Sequence, residues 1–253
     1  MTRYTPPIPL HEFVDYLYVA PEPHASESVN AYREPTHPQI RILVNGSERE
    51  HHGHIKGIFT RPRHIPQDHG SRCTLGIRFK PYGLYTGFGI SGEFTLNRVV
   101  PVSDFFTGKA LAMLAACVQV GNEQVAVESI HETLYRRLRP NAILDEITVM
   151  IDALIAADLS KNTQRHLALA FERTPKSFIA VFRKAVGTTP LHYLHVHKIE
   201  EARRIIHQQP LVGLSDVGDS LGFYDQAHFI RVFKAHAGCT PLQYKKRLNK
   251  HAG

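Results

Sequence analysis

A repeat in the C-terminal part constrains this chain more than any other feature of its sequence. Residues 178–183 (Phe-Ile-Ala-Val-Phe-Arg) return 51 residues later as residues 229–234 (Phe-Ile-Arg-Val-Phe-Lys). The same offset relates three further matches: Gly187 and Gly238, Thr189-Pro190 and Thr240-Pro241, Tyr193 and Tyr244. Upstream, Leu167-Ala168 matches Val217-Gly218 at an offset of 50, so the second copy has one extra residue in its turn. The sequence therefore predicts two copies of one small helical unit.

The second copy has the spacing of two helices around a glycine turn. A first helix is predicted from Leu214, capped by Ser215-Asp216. Gly222 follows where a tight turn favours positive φ, and Asp225 is the predicted N-cap of a second helix. This order is the helix-turn-helix plan, in which the second helix enters the major groove of DNA.

Helical spacing divides the second helix of this copy into two faces. Phe229, Ile230 and Phe233 are predicted to hold the core. The residues left to project outward are Ala227, His228, Arg231 and Lys234.

Charge is distributed unevenly along the chain. Residues 159–253 contain 15 Lys+Arg and 6 Asp+Glu, whereas residues 1–158 contain 15 and 17, so the formal charges are +9 and −2. This asymmetry favours a polyanion-binding module joined to a second part. A solvated basic surface would give the same count, so charge alone does not decide for nucleic acid.

Composition limits the class of protein. The three cysteines (Cys73, Cys117 and Cys239) lie far apart, which is typical of a reduced protein and not of a disulfide framework. No apolar run approaches the roughly 20 residues that a membrane span needs. Residues 1–10 hold three prolines and no apolar core, unlike a secretory signal. We therefore expect a cytoplasmic protein of two domains with no membrane partner.

The first hundred residues predict short strands separated by turns. Residues 40–44 form an apolar run before Asn45-Gly46, a hairpin signal. Residues 53–60 and 73–80 show partial alternation of apolar side chains. Strands at this spacing predict a small antiparallel sandwich or barrel.

Helical spacing replaces this pattern further along. Ser103-Asp104 opens a predicted helix over residues 105–120, and Asn122 opens another over residues 125–138. Pro140-Asn141 then punctuates the chain. The predicted architecture is a β-rich domain with trailing helices (residues 1–139) followed by an all-α domain with two helix-turn-helix units (residues 142–250).

Residues 214–234 (LSDVGDSLGFYDQAHFIRVFK), followed by GCTPLQY at 238–244, closely resemble the signature of the AraC family of transcription regulators. The resemblance spans about residues 143–247 and is doubled by the repeat. It implies a seven-helix domain with two helix-turn-helix subdomains joined by a long helix, here residues 191–207. The two recognition helices would enter successive major-groove segments of promoter DNA.

The resemblance also implies which residues read bases. In the second unit these are Ala227, His228 and Arg231, and the guanidinium of Arg231 can bond bidentately to guanine, a contact worth roughly 1–3 kcal/mol of discrimination. The matching positions of the first unit are Lys176, Ser177, Ile179 and Ala180.

The first unit departs from the family pattern. Ile179 and Ala180 cannot donate hydrogen bonds, and Glu172 replaces the turn glycine. We therefore expect the second unit to supply most of the base discrimination. The basic residues expected to contact phosphates are Arg183, Lys184, Lys234, Lys245, Lys246 and Arg247.

The N-terminal part resembles, less specifically, the sensory domain of some of these regulators. The stretch is GIRFKPYGL at residues 76–84, with Val100-Pro101 leading into Asp104. This resemblance implies a cupin-like β structure that binds a small molecule or only mediates dimerisation. Expected partners are thus promoter DNA, with RNA polymerase, a small-molecule effector and a second copy of the chain considered as well.

Two patterns in the sequence could indicate a cofactor or a metal. Gly87, Gly89 and Gly92 match the dinucleotide fingerprint, but neither a clean strand before them nor a helix after them is predicted, so no dinucleotide is expected. A polar hairpin explains a histidine cluster better than a metal site, because the spacing fits no dedicated motif. A metal would make the N-terminal part an enzyme fused to a DNA-binding module. The cluster consists of His51, His52 and His54 near Glu48 and Glu50, with His64 or His69 as a distant ligand.

Overall fold

The computed structural model describes residues 1–21, 38–45, 52–60, 71–103, 105–156 and 163–251. Six strands lie in the N-terminal part of this described chain and form one antiparallel sheet in the order β1-β2-β5-β3-β4-β6. Their bounds are β1 Thr2–Tyr4, β2 Val14–Pro21, β3 Gln39–Asn45, β4 His52–Lys56, β5 Ser71–Phe79 and β6 Val99–Pro101.

Most of the regular structure in the rest of the described chain is helical. Four of them belong with the sheet: α1 Gly83–Phe88, α2 Gly92–Thr95, α3 Gly108–Gln119 and α4 Glu123–Arg137. Seven follow Pro140, as the resemblance implied: α5 Leu144–Ala156, α6 Thr163–Ala170, α7 Pro175–Val186, α8 Pro190–Gln208, α9 Leu214–Ser220, α10 Gln226–Ala237 and α11 Pro241–His251.

The sheet separates an apolar face from a polar one. Alternate residues such as Leu17, Ile40 and Ile77 are fully buried against Leu114 and Ile130 of α3 and α4. This packing follows from the period of two in a strand and the helical spacing of apolar residues in α3 and α4. The two trailing helices therefore cover one face of the sheet.

The three predicted strands are confirmed as β3, β4 and β5, whereas β1, β2 and β6 were not predicted. The helix predicted over residues 105–120 begins later, at Gly108, because the Thr107 hydroxyl accepts the Ala110 N–H at 3.3 Å. Asp104 and Gly46, which belong to the predicted cap and hairpin turn, lie outside the described residues. The β-rich part with trailing helices is thus confirmed, and its cupin-like closure stays a prediction.

The expectation that no helix follows the glycine fingerprint was wrong. Gly87 lies inside α1, Gly89 ends that helix with a φ of 73°, and α2 begins at Gly92. The fingerprint therefore joins two short helices and does not follow a strand, so the βαβ context of a dinucleotide site is still missing.

Each helical unit packs around its own aromatic core, and the two cores share α8. The first core contains Phe178, Phe182 and Tyr193, with Ile58 and Tyr82 contributed from the N-terminal part. The second contains phenylalanines at the matching positions of the repeat, together with Ile199, Ala202 and Ile206 of α8. The predicted long helix is confirmed, extended by one residue at each end.

Two local predictions for the second unit were wrong. Gly213 and not Ser215 is the N-cap of α9, and it offers no side-chain cap. Ile230 is 38% exposed, because Val232 takes the third core position of α10 beside Phe229 and Phe233.

The turns of the two units share a residue with positive φ despite their different sequences and lengths. Gly222 has a φ of 69°, and Glu172 at the matching point of the first unit has a φ of 51°. The first turn is four residues long (171–174) and the second five (221–225), which confirms the extra residue inferred from the repeat. Glu172 therefore occupies a conformation that favours glycine.

Glu172→Gly is expected to raise the free energy of unfolding by about 1 kcal/mol. A non-glycine residue in the left-handed region costs roughly 1–2 kcal/mol, partly offset by the larger unfolded-state entropy of glycine. Gly222→Ala should lower it by about 1 kcal/mol for the same reason. Urea denaturation of both variants measures the pair, and equal losses in the two would contradict the strain argument.

Candidate nucleic-acid interface

The second helix of the second unit, α10, is positioned by defined caps. The Asp225 carboxylate accepts the His228 N–H at 2.5 Å, as predicted for an N-cap. Gly238 ends the helix with a φ of 70°. The buried ammonium of Lys198 on α8 donates to the Leu221 carbonyl at 2.7 Å, which ties the turn before α10 to the long helix. The orientation of α10 is therefore set from α8.

The outward face of α10 carries the predicted base-reading residues. Ala227 and Arg231 are exposed, and His228 is half-buried with its ring edge-on to Phe223 at 5.6 Å. Sequence reasoning missed Tyr224, which is 89% exposed directly before the helix. The signal that could have found it is the position of an aromatic residue in the turn, directly before the predicted N-cap Asp225.

The first unit is held in place by an ion pair. Arg173 Nε and Nη2 donate to Glu146 Oε1 and Oε2 of α5 at 2.5 and 2.8 Å. This hydrogen bonding is the main reason that the pKa of Glu146 lies below its ordinary value. Thr174 caps α7 by accepting the Ser177 N–H at 3.2 Å, and the Ser177 hydroxyl accepts from Arg173 Nη1 at 3.2 Å.

The predicted base-reading residues of the first unit lie near the start of α7. Lys176 and Ala180 are exposed, whereas Ser177 and Ile179 are half-buried. Of these four residues, Lys176 is the one with a charged side chain, and its exposed ammonium can donate hydrogen bonds.

The two basic residues at the end of α7 face the N-terminal part of the chain. Arg183 Nη2 lies 3.3 Å from Glu93 Oε1, and the Lys184 ammonium lies 5.6 Å from the centroid of the Tyr85 ring. The Ser91 hydroxyl donates to the Lys184 carbonyl at 3.3 Å. Arg183 and Lys184, predicted as phosphate contacts, are therefore already engaged by α1 and α2.

Beside these contacts, the backbone at Gly92 lies directly against the backbone at Gly187. A Cβ added to Gly187 would lie 2.5 Å from the Gly92 carbonyl oxygen, and one added to Gly92 would lie 2.3 Å from the Gly187 nitrogen. No side chain fits at either position. The start of α2 and the end of α7 are thus in direct contact.

The remaining basic candidates lie in the second unit and in α11. Lys234, Lys246 and Arg247 are exposed. The Lys245 ammonium instead donates to the Val212 carbonyl at 2.7 Å, which ties α11 to the loop before α9. Lys246 is therefore a clearer candidate for phosphate contact than Lys245.

Histidines line the contact between α8 and α10. The rings of His192 and His236 are 4.8 Å apart, and the ring of His195 is 6.3 Å from that of His236 and 6.0 Å from that of His228. Burial, followed by the neighbouring histidines, lowers the pKa of His236 to about 4. Burial, then His228, His192 and Lys198, lowers the pKa of His195 to about 4. Both rings are therefore neutral at pH 7.

Comparison with known families agrees with this geometry. A family described as a helix-turn-helix domain matches residues 167–247, which cover both units from within α6 to within α11. Residues 167–247 are therefore similar to helix-turn-helix domains of the AraC type. A family described as a domain of unknown function matches residues 2–101, which contain the whole described sheet.

Curated relatives of the AraC type are similar over part of their length. The transcriptional activator NphR of Rhodococcus is 27% identical over 145 residues, which are 56% of this chain and 38% of the relative. The activator RhaR of Enterobacter is 28% identical over 123 residues, 47% of this chain and 43% of the relative. The arabinose operon regulatory protein of Escherichia coli is 24% identical over 120 residues, 47% and 39%. The matched segments thus span less than half of each relative.

Among solved structures, ToxT from Vibrio cholerae superposes on 92% of this chain and 97% of its own, with 9% identity and a TM-score of 0.46.

In the described part of the chain, no helix is long and apolar enough to cross a membrane. Among the same residues, no group of three or more His, Cys, Asp or Glu side chains is arranged to hold a metal ion. Most of the histidine cluster considered for metal binding, namely His51, Glu48, Glu50, His64 and His69, lies outside the described residues, as does the side chain of His52.

The second unit of this AraC-type domain is expected to lose stability on acidification. His195 and His236 have a pKa of about 4 in the folded chain against 6.5 as an ordinary value, so the unfolded chain binds more protons between these limits. Stability is full above about pH 6.5 and falls as the pH falls towards 4, by about 1–2 kcal/mol for each histidine between pH 7 and 5.

His236→Phe removes one of these protonation sites and should reduce the difference in unfolding free energy between pH 7 and pH 5. Urea denaturation at the two pH values measures it. His11→Phe, which changes a histidine far from this layer in the exposed part of the N-terminal region, is the matched control. An unchanged pH dependence in His236→Phe would contradict the argument.

Proposed function

We propose that this chain is a sequence-specific transcription regulator that binds promoter DNA through both helix-turn-helix units. The observation that carries the proposal is the tandem arrangement: two units of one plan share α8, and each second helix carries an exposed basic residue, Lys176 on α7 and Arg231 on α10. The relatives named above are described as transcriptional activators or regulators, which supports the same role.

We propose further that the two units contribute unequally. On α10, Arg231 offers a planar donor pair at an exposed position, and Tyr224 and Lys234 are exposed beside it. On α7 the matching position is Ala180, and the basic residues at the helix end contact α1 and α2. The second unit therefore supplies most of the base discrimination, and the first mainly positions the domain.

The N-terminal part is proposed to regulate this binding. The contact of α2 with α7 gives a direct physical route by which a change in the sheet region would alter the first unit. An effector that favours one arrangement of this contact shifts the population between binding states. A regulator whose N-terminal part only dimerises would use the same contact without a ligand.

The partners proposed are promoter DNA, RNA polymerase, a small-molecule effector and a second copy of the chain, within the cytoplasm. We propose no enzymatic role. The alternative of a metal-dependent enzyme predicts stoichiometric iron, manganese or zinc in the purified protein, which elemental analysis detects.

Arg231→Ala is expected to relax base preference at one position of the bound site, with a loss of about 5- to 150-fold in discrimination, equivalent to roughly 1–3 kcal/mol. The site is first obtained by selection from random duplexes with the wild-type chain. Competition binding with all four base pairs at each position then measures the preference. Equal loss of affinity for selected and random DNA would rule out Arg231 as a base reader.

Lys246→Ala serves as the matched control for a phosphate contact. It should weaken selected and random DNA alike and reduce the slope of log affinity against log salt by about 1. Ala180→Arg tests the inequality of the units, since a donor placed there should add affinity without removing the preference read by Arg231.

Gly187→Ala is expected to open the contact between α2 and α7. The added Cβ would lie 2.5 Å from the Gly92 carbonyl oxygen, so one of the two elements must move. Amide hydrogen exchange over residues 91–96 should become faster. Gly238→Ala is the control, because Gly238 has a similar positive φ but is exposed at the matching end of α10. Equal exchange in the two variants would contradict a contact specific to Gly187.

A further inference from the structure

The turn before α10 carries an exposed tyrosine. Tyr224 is 89% exposed, whereas the tyrosines of the first aromatic core, Tyr82 and Tyr193, are buried. Its side chain makes no hydrogen bond or ring contact within the described chain. A tyrosine has a large apolar ring and a hydroxyl that usually finds a partner, so tyrosines are enriched where proteins bind other molecules. Folding of the second unit therefore does not account for Tyr224.

The turns of the two units differ in length at this position. In the first unit a single residue, Arg173, separates Glu172 from the N-cap Thr174, and its guanidinium is bound to α5. The second unit has two residues, Phe223 and Tyr224, at the corresponding point. The extra residue therefore gives the second unit an outward aromatic side chain that has no counterpart in the first.

The backbone on both sides of Tyr224 is held in place. Before it, Phe223 is buried with its ring 5.1 Å from that of Phe229, and its N–H donates to the Gly218 carbonyl at 3.1 Å. After it, Asp225 caps α10, and the Asp225 carbonyl accepts the Phe229 N–H at 3.0 Å. Tyr224 therefore projects from an ordered turn, so a contact made by its hydroxyl costs little backbone entropy.

The docking geometry of helix-turn-helix units places such a turn beside the DNA backbone. The second helix lies in the major groove and the first crosses the backbone, so the turn between them lies at the wall of the groove. A helix with its side chains is about 10–12 Å across and the groove is about 12 Å wide, so residues at the edge of the helix reach the flanking strands. Tyrosine is among the side chains that donate to phosphate oxygens.

We propose that the Tyr224 hydroxyl donates a hydrogen bond to a phosphate oxygen of the DNA strand that flanks the groove entered by α10. The extra residue of the second turn is thus a phosphate-binding residue, which adds an uncharged contact to those expected from Lys234 and Lys246. This inference rests on the proposed function, because it assigns a further binding residue to the same DNA-binding surface.

Tyr224→Phe removes only the hydroxyl and is expected to weaken binding of the full chain to the selected duplex by about 5- to 20-fold, because a hydrogen bond to a charged group is lost. The base preference read by Arg231 should stay the same, since phosphate contacts carry no sequence information. The slope of log affinity against log salt should also stay the same, because tyrosine carries no charge that displaces counterions. Competition binding and a salt titration measure these quantities. Wild-type affinity in Tyr224→Phe would overturn the proposal.

Tyr135→Phe is the matched control. Tyr135 is 57% exposed on α4, in the N-terminal part of the chain, so the loss of its hydroxyl should leave the affinity for DNA unchanged. Equal losses in the two variants would contradict the proposal, since the effect would not depend on where the hydroxyl lies. Urea denaturation of Tyr224→Phe should give the free energy of unfolding of the wild type, whereas a marked fall would show a structural role instead.

A double-mutant cycle between protein and DNA locates the contact. The selected duplex is prepared with one phosphate at a time replaced by a methylphosphonate, in which a methyl group takes the place of a charged oxygen. At one position this replacement should weaken the wild type more than Tyr224→Phe, by about the same 5- to 20-fold. If the losses simply add at every position, the proposal is wrong, even where Tyr224→Phe binds weakly.

The wild-type chain separates this inference from the proposed function. Absence of DNA binding by the wild type would overturn the proposed function and this inference with it. Sequence-specific binding by the wild type, with no phosphate position that is sensitive to Tyr224, would support the proposed function and overturn this inference alone.

Discussion

The backbone contact between Gly92 and Gly187 is the interaction on which the arrangement of this chain depends. It brings the end of α7 against the start of α2 with no room for a side chain on either. Around it, Tyr82 enters the first aromatic core, and Glu93 pairs with Arg183. The N-terminal sheet and the first helix-turn-helix unit are consequently packed as neighbours and not merely joined by a linker. At the matching end of α10, Gly238 is exposed in the described part of the chain. The end of α7 therefore contacts the N-terminal part, whereas the matching end of α10 is exposed to solvent.

This asymmetry gives the divergence of the repeat a physical meaning. Both copies keep the aromatic core positions, the glycine at the helix end and the Thr-Pro start of the next helix, because these features are required for folding. They differ at the outward positions, where Ala180 of the first copy aligns with Arg231 of the second. They also differ at the turn, where Glu172 aligns with Gly222. The copy that contacts the N-terminal part has Ala180 at this position, and the other copy has the exposed Arg231.

The sequence predicted the helical part well because its signals are local. Each cap, such as Asp225 or Thr240, and each glycine end of α7 and α10 acts within one turn of helix, and the repeat doubled each signal.

The N-terminal part was predicted less completely. Strand β2 lies next to β5 only through pairing across more than fifty residues, and α2 is stabilised by Ser91 and by its contact with α7. The pairing of Arg41 with His54 was missed for the same reason, because these residues become neighbours only through strand register. For Lys245 the sequence suggested a role that the fold does not favour. Its charge suggested a phosphate contact, but its ammonium donates to the Val212 carbonyl.

The long helix α8 contributes to both aromatic cores, Tyr193 and Leu194 to the first and Ile199, Ala202 and Ile206 to the second. A helix advances about 100° for each residue, or 3.6 residues per turn. A single insertion between Leu194 and Ile199 would therefore rotate the second unit by more than a quarter turn about the helix axis. α8 is 19 residues long, or roughly 28 Å. It therefore fixes the rotation of one unit relative to the other about the helix axis. Substitutions in α8 should therefore be tolerated far better than insertions or deletions. The loop of residues 209–213 that follows it should accept a change of length more readily.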